Sequence, residues 1–122
     1  MPMKIYLVIG SRGEYSDHQE WPIKAFKEKD KAQQFVDAFP GLLKNVTDYY
    51  EETSEWYKTQ CIANGVWNRP TNPDWSKVRG AIWDEKRRME EEVEDKYISE
   101  YMDMNDDRSV PSGVSITEVE LV

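Results

Sequence analysis

The chain begins with two extended, β-type segments before the spacing of its apolar residues becomes helical. Residues 5–9 (IYLVI) are rich in β-branched and aromatic side chains and are followed by Gly10, which predicts a strand buried on both faces. Residues 21–26 (WPIKAF) predict a second strand, in which Pro22 indicates a strand start or a sheet edge because it has no N–H to donate. The polar residues 10–19 between them predict a loop, so the two strands are expected to pair as an antiparallel hairpin.

Helical spacing begins after the second strand. Apolar residues recur three and four positions apart over residues 30–39, which predicts one buried face of a helix. Pro40-Gly41 interrupts this pattern, and a second helical pattern follows over 42–63, with a stop signal at Asn64-Gly65. The sequence therefore predicts two helices that are separated at Pro40.

A third, long helix is predicted after a loop at residues 66–73. Asn72-Pro73 suits the start of this helix, because asparagine caps helices and proline is tolerated in the first turn. The predicted helix ends at residues 105–107. Its apolar stripe includes Val93, Tyr97 and Tyr101.

Residues 113–122 predict a closing strand. Its apolar positions change phase between Ile116 and Val119, which indicates either a bulge or a change of buried face. The order strand, strand, helix, helix, helix, strand predicts a single α+β domain over 1–122: a three-stranded antiparallel sheet with helices packed on one face. The first strand is the most apolar, so it is expected to be central and to pair with the last.

The distribution of charge adds a second feature to this fold. The 122 residues include 16 Lys or Arg and 24 Asp or Glu, for a net charge of -8. Residues 84–107 alone hold four basic and eleven acidic residues, a balance of -7, so the long C-terminal helix is expected to be acidic. A solvated helix face is the usual explanation of such a segment, and a surface that meets a basic partner is the functional alternative. No basic stripe is visible, so direct binding of nucleic acid is not expected.

Several classes of protein do not fit the composition. The chain has no apolar run of 18 residues and no signal-peptide pattern at its start, so a cytoplasmic protein without a membrane span is expected. One cysteine, Cys61, and one histidine, His18, exclude an internal disulfide, a multi-thiolate metal site and a His-pair zinc motif. No catalytic constellation and no cofactor motif is recognisable, so the protein is expected not to be an enzyme.

The first candidate binding site lies on the acidic helix and in the loop before it. The carboxylates expected to meet a basic surface of a host protein are Glu90, Glu91, Glu94 and Asp95. Trp67 lies in a loop rich in proline and asparagine, where an exposed ring would serve as a binding anchor. The tryptophans at helical spacing, Trp56, Trp75 and Trp83, are expected in the core. A homodimer through the apolar stripe of the long helix is an alternative use of the same element.

The second candidate site is the loop between the first two strands, Gly10 to His18. Gly10-Ser11-Arg12-Gly13 follows a strand, as phosphate-binding loops do, but it leads into another strand instead of a helix and has no Lys-Ser/Thr ending. A hairpin loop is therefore the favoured interpretation, and a small-ligand or nucleotide site is the alternative function. The side chains expected to contact such a ligand are Ser11, Arg12, Tyr15 and His18.

The two ends of the chain resemble a group of small accessory proteins of phages and prophages. The resemblance is carried by residues 6–17 (YLVIGSRGEYSD), 23–26 (IKAF), 29–36 (KDKAQQFV) and 114–121 (VSITEVEL), and it does not cover 41–107. It implies a small accessory protein encoded by a mobile element, and many such proteins bind and inhibit or modulate a host protein, for example a defence or CRISPR component. Because that group has no settled activity, the resemblance assigns no functional residue.

Overall fold

The computed structural model describes residues 3–13, 17–103 and 108–121, which fall into two compact units. Unit 1 comprises Met1–Leu42 and Ile98–Val122, and unit 2 comprises Leu43–Tyr97. The fold is α+β, as predicted, with two long helices where three were expected. Its elements are β1 (Met3–Arg12), β2 (Gln19–Phe26), α1 (Lys29–Ala63), α2 (Trp75–Tyr97), a single-turn 3-10 helix (Ser99–Tyr101) and β3 (Gly113–Leu121).

The three strands form one antiparallel sheet in the order β2-β1-β3. The prediction that the first strand is central and pairs with the last is therefore confirmed. β1 pairs with β3 in one unbroken register over nine residue pairs. Its pairing with β2 shifts between Val8 and Ile9, where Ile9 lies opposite Pro22. Proline has no N–H to donate to a neighbouring strand, so an irregular register is expected next to it. The strand that contains Pro22 is an edge strand, one of the two positions predicted for it.

The closing strand changes its half-buried face without a bulge. Val114 and Ile116 are half-buried on one face of β3, and Val119 is half-buried on the other. Every residue of β3 nevertheless keeps its partner on β1. Of the two alternatives that the phase change indicated, the structure has the change of face.

The core of unit 1 lies on the face of the sheet that carries Val8. Val8 is fully buried, and Trp21 and Tyr101 are 6% and 3% exposed. Trp21 donates a hydrogen bond from Nε1 to the carbonyl oxygen of Tyr101 at 3.1 Å, and the Tyr101 ring stacks on Phe35 of α1 with centroids 4.2 Å apart. A Cβ at Gly10 would lie 2.9 Å from the Trp21 ring, so the indole can pack against β1 here because residue 10 has no side chain.

Helix α1 continues through Pro40 as one helix of 35 residues, which corrects the predicted break. A proline inside a helix removes one backbone hydrogen bond and costs about 3 kcal/mol. Phe39 before the proline and Val46 after it are both buried, and their spacing of seven residues is two turns of the same helix. Burial along this uninterrupted apolar stripe is what offsets the lost hydrogen bond.

The C-terminal end of α1 is closed by Gly65, as the stop signal predicted. Gly65 has a φ of 69°, and its N–H donates to the carbonyl of Ile62 at 3.1 Å. The next N–H, that of Val66, donates to the carbonyl of Cys61 at 2.9 Å. This pair of bonds is the Schellman arrangement, which glycine favours because it enters the left-handed region without steric cost.

Helix α2 begins where the sequence predicted and ends earlier. Asn72 Oδ1 accepts a hydrogen bond from the N–H of Asp74 at 2.9 Å, just before the first helical residue. The helix stops at Tyr97 because Ile98 has a φ of -127° and a ψ of 10°, outside the helical region. The predicted end at 105–107 lies outside the described residues. Tyr101, expected on the stripe of this helix, belongs to the core of unit 1.

None of the helices in the described part of the chain has the length and apolar character that a membrane-spanning helix needs.

Gly80 offers a simple test of the α2 assignment. It lies exposed in the interior of the helix, and a Cβ built on it meets no atom within 4 Å. Gly80→Ala is expected to raise the free energy of unfolding by about 0.5–1 kcal/mol, since glycine loses more backbone entropy on folding. Denaturant unfolding followed by circular dichroism measures the change. Gly10→Ala is the matched control and should destabilise, and a Gly80→Ala protein no more stable than the wild type would contradict the assignment.

Candidate partner-binding site

Unit 2 is a hairpin of two helices, the C-terminal part of α1 and all of α2, with charged residues in its interior. Glu90 and Glu94 of α2 are 3% and 2% exposed, and Lys86 is also buried. These three residues recur every four positions, so they form one stripe along the helix. The stripe that the hairpin buries on α2 is therefore partly ionic.

Glu90 is held by three donors. Its carboxylate accepts hydrogen bonds from Thr53 Oγ1 at 2.9 Å, Arg87 Nη1 at 2.9 Å and Lys86 Nζ at 3.2 Å. Burial alone would raise the pKa of this carboxyl, but the three hydrogen bonds outweigh burial and hold the pKa of Glu90 below its ordinary value. Glu90 is thus an anion with its partners inside unit 2.

Glu94 joins the same network one turn later. It accepts a hydrogen bond from the hydroxyl of Tyr50, and Arg87 Nη1 lies 3.7 Å from its Oε2. Burial and the Glu94 carboxylate together raise the pKa of the Tyr50 phenol, so Tyr50 stays protonated and keeps donating. The hydrogen bonds from Tyr50 to Glu94 and from Thr53 to Glu90 therefore join α1 to α2 within unit 2.

The four carboxylates predicted to meet a partner divide into two pairs. Glu90 and Glu94 lie in the interior, bonded to residues of the hairpin itself, and so do not face a partner. Glu91 is half-buried with its carboxylate 4.0 Å from Arg87, and Asp95 is exposed. Glu90 and Glu94 lie four and eight residues after Lys86 and share its stripe, whereas Glu91 and Asp95 lie outside that stripe.

The acidic surplus is not concentrated on α2. Between Trp75 and Tyr97 the helix holds seven acidic and six basic residues, a balance of -1. Four of the eleven carboxylates counted in 84–107 follow the helix in sequence. On α1, in contrast, four exposed carboxylates occur within eight residues: Asp48, Glu51, Glu52 and Glu55. The negative surface of unit 2 therefore includes α1 to an extent that the sequence reasoning missed.

Trp67 belongs to a cluster of aromatic rings and arginine. It is half-buried and packs edge-on against Tyr57, with ring centroids 6.3 Å apart. The Arg79 guanidinium lies 5.7 Å from the centroid of the Trp67 ring and 6.0 Å from that of Tyr57, and Arg79 Nε donates to Tyr57 Oη at 2.9 Å. Trp67 is therefore part of the packing of unit 2, with only part of its ring at the surface.

Two tryptophans expected in the core are instead exposed. Trp75 and Trp83 of α2 are 45% and 46% exposed, so that prediction is wrong for both. Trp83 keeps one edge-on contact with Tyr57, and the Lys86 ammonium lies 4.6 Å from its ring centroid. Trp56 of α1 is half-buried.

An open groove of about 540 Å³ lies between α1 and α2. We call it the hairpin groove. Its apolar lining comes from both helices and consists of Trp56, Val78, Ala81 and Ile82. Its polar lining consists of Gln60, Asp74, Lys77 and Glu85. The volume is within the range of about 300–1,000 Å³ typical of binding pockets, and the lining combines apolar surface with a few polar groups as such pockets do.

A second, smaller groove of about 260 Å³ lies between the same two helices. Its lining consists of Asn45, Asp48, Tyr49, Glu52, Val93, Lys96 and Tyr97. Five of the six α1 residues that line the two grooves, at positions 45, 49, 52, 56 and 60, are three or four positions apart and so share one face of the helix. The two grooves therefore follow the same side of the hairpin.

The candidate loop residues lie in unit 1, at the end of the β1–β2 hairpin. Ser11 is half-buried and donates from Oγ to the carbonyl of Gly113 at 3.5 Å. Arg12 is exposed at the last position of β1. Tyr15 lies outside the described residues.

Both ring nitrogens of His18 have a partner nearby in the chain, one before β2 and one in it. Nδ1 lies 3.2 Å from the carbonyl oxygen of Gly13, and Nε2 lies 3.0 Å from Glu20 Oε1. Both partners only accept hydrogen bonds, so the doubly protonated ring satisfies both. The Glu20 carboxylate first, and the Gly13 carbonyl second, accordingly raise the pKa of His18. The ring closes the loop, which is a structural role.

Among the described residues, no group of three His, Cys, Asp or Glu side chains is placed to hold a metal ion. Cys61 is a free thiol, fully buried in unit 2. No protein-family model, curated protein or solved structure matches the chain. The resemblance to phage accessory proteins stays a prediction.

Proposed function

We propose that the protein is a non-catalytic binding protein that holds a helix of a partner protein against its helical hairpin. The observation that supports this most is the hairpin groove, which leaves Trp56, Val78 and Ile82 only half-buried between two helices. Grooves between helices commonly accept the apolar face of an amphipathic helix.

The length of the surface suits a helix. Residues 45 to 60 of α1 border both grooves, and this segment is about 22 Å long at a rise of about 1.5 Å per residue. A partner helix of about four turns would cover it. Its apolar residues would enter the hairpin groove and contact the ring of Trp56.

The charges that border the grooves favour a basic partner. Four carboxylates line them, against two lysines. The carboxylates are Asp48, Glu52, Asp74 and Glu85, and the lysines are Lys77 and Lys96. The best match is an apolar helix face flanked by lysine or arginine, whose approach these carboxylates would steer. The proposed partner is still a basic protein, as expected from the sequence, but all four carboxylates proposed to meet it differ from the four expected there.

The biological setting rests on the resemblance of the two ends of the chain. A mobile-element protein that inhibits or modulates a host protein, such as a defence or CRISPR component, would use a surface of this kind. That setting is part of the proposal on the ground of the resemblance alone.

Two labelled peptide probes test the groove. Both are helices of about 18 residues with leucine on one face, and the remaining positions are lysine in one and glutamate in the other. Fluorescence anisotropy is expected to show binding of the lysine probe and little binding of the glutamate probe. Ala81→Arg should weaken binding of the lysine probe about tenfold or more, since the new side chain occupies the groove and repels lysine.

The matched control is Gly80→Arg, the same added charge one residue away. Gly80 does not line the groove, and a Cβ there meets nothing within 4 Å. Binding of the lysine probe should stay within about twofold of the wild type. Equal losses in the two variants would mean that the probe responds to net charge, and the proposal would then be wrong.

A further inference from the structure

The sheet of unit 1 has two edge strands, and they differ in how well they could pair with another chain. β2 contains Pro22, and its register against β1 shifts at the neighbouring position. Lys24 follows directly after this irregularity. Proline, a bulge and lysine are three of the devices by which natural proteins block an edge strand.

The other edge, β3, has none of these devices. Its nine residues pair with β1 in one unbroken register, without proline, lysine or a bulge. Five of the nine are exposed. In an edge strand the N–H and C=O groups of every second residue point away from the sheet, so β3 presents a regular row of backbone groups for a further strand.

The side chains of β3 alternate between charge and apolar surface. Glu118 and Glu120 lie on the face that also carries Lys4 of β1, and Lys4 Nζ is 3.6 Å from Glu118 Oε1, with both side chains more than half exposed. Val119 and Leu121 lie on the opposite face. β3 itself contains no basic residue.

The apolar side of β3 continues across the sheet. On that face Val119 lies opposite Ile5, and Leu121 lies opposite Met3, with Met3 54% and Leu121 44% exposed. Leu7 is half-buried on the same face. A strand added next to β3 would extend this apolar surface if its own side chains on that side were apolar.

We infer that the open edge of β3 binds an extended segment of a partner protein in which basic residues alternate with apolar ones. The basic residues would lie opposite Glu118 and Glu120, and the apolar ones beside Val119 and Leu121. A second copy fits less well, because β3 would bring two more glutamates and no cation to the pair. This site is independent of the hairpin groove, and either proposal can fail without the other.

Backbone-blocked peptides test this inference. The first is an alternating Lys/Val peptide of about nine residues, the length of β3, N-methylated at every second residue so that one edge is free to pair. The second is N-methylated throughout and so cannot extend a sheet. The first peptide is expected to slow exchange of alternate β3 amides by about tenfold in NMR measurements, with β2 amides unchanged. The second is expected to bind at least about tenfold more weakly.

Charge variants separate local pairing from net charge. The double variant Glu118→Gln with Glu120→Gln should bind the first peptide, which is N-methylated at every second residue, about fivefold or more weakly than the wild type does. Glu51→Gln with Glu55→Gln makes the same change in net charge at exposed positions of α1, and should leave binding within about twofold.

Three results would overturn the inference. One is equal binding of the fully N-methylated peptide, and another is protection that appears on β2. The third is protection of β3 amides without any peptide, in a sample that sediments as a dimer, which would assign this edge to a second copy of the chain.

Discussion

Glu90→Ala is expected to lower the free energy of unfolding of the hairpin by about 3–5 kcal/mol. The change leaves the buried Lys86 ammonium without its carboxylate and removes one of the two acceptors near the Thr53 hydroxyl. An uncompensated buried charge is among the most destabilising features that a point substitution can create. Urea unfolding followed by circular dichroism at 222 nm measures the loss of helix.

The control for this variant is Glu92→Ala in the same helix. Glu92 is exposed and pairs with the exposed Arg88, so its loss should cost no more than about 1 kcal/mol. Lys86→Met combined with Glu90→Leu should recover most of the stability, since an apolar pair of similar size replaces a buried ion pair at little cost. Equal losses for Glu90→Ala and Glu92→Ala would contradict the interior position of Glu90.

The same carboxylate predicts how stability depends on pH. The pKa of Glu90 is lower in the folded protein than in an unfolded chain, where the pKa of a glutamate is about 4.3. The stabilisation that ionised Glu90 contributes is therefore complete above that pH, and it is lost as the pH falls through the pKa of Glu90 in the folded protein. The stability difference between the wild type and Glu90→Gln should be largest at neutral pH and should shrink on acidification.

Trp21→Ala is expected to have an effect of similar size in unit 1, about 3–5 kcal/mol. Trp21 is 6% exposed, and its removal opens a cavity beside Gly10 and leaves the Tyr101 carbonyl without its indole donor. Trp75→Ala is the matched control, because Trp75 is 45% exposed. Its cost should be about 1 kcal/mol or less. The midpoints of thermal and urea unfolding should both be far lower for Trp21→Ala than for Trp75→Ala. The reverse order would contradict the burial of Trp21 and the exposure of Trp75.

The sheet could be predicted from the sequence because its signals are local. Residues 5–9 are continuous and β-rich, Pro22 marks an edge, and the phase change after Ile116 reports a change of face. The helices were predicted less well. Pro40 is a strong local break signal, and only the buried positions Phe39 and Val46 on either side of it explain why α1 continues.

The candidate site could be predicted only in part. Helical spacing predicted that Trp56 lies in the core, and Trp56 is half-buried where it lines the hairpin groove. Which carboxylates face inward depended on the phase between the two helices, and a single helical pattern does not contain that information. Glu90 and Glu94 were therefore expected at the surface, because carboxylates are rarely buried unless a partner such as Lys86 or Arg87 is brought to them.

Cys61 makes one kinetic experiment on unit 2 possible without any introduced reporter. It is the only thiol in the chain and is fully buried next to the end of α1. A thiol reagent can reach it only when the surrounding structure opens, so the labelling rate, where reclosing is faster than reaction, gives the free energy of that opening. Unfolding of the whole chain also exposes Cys61, so an opening free energy below that of global unfolding would identify local opening of the hairpin.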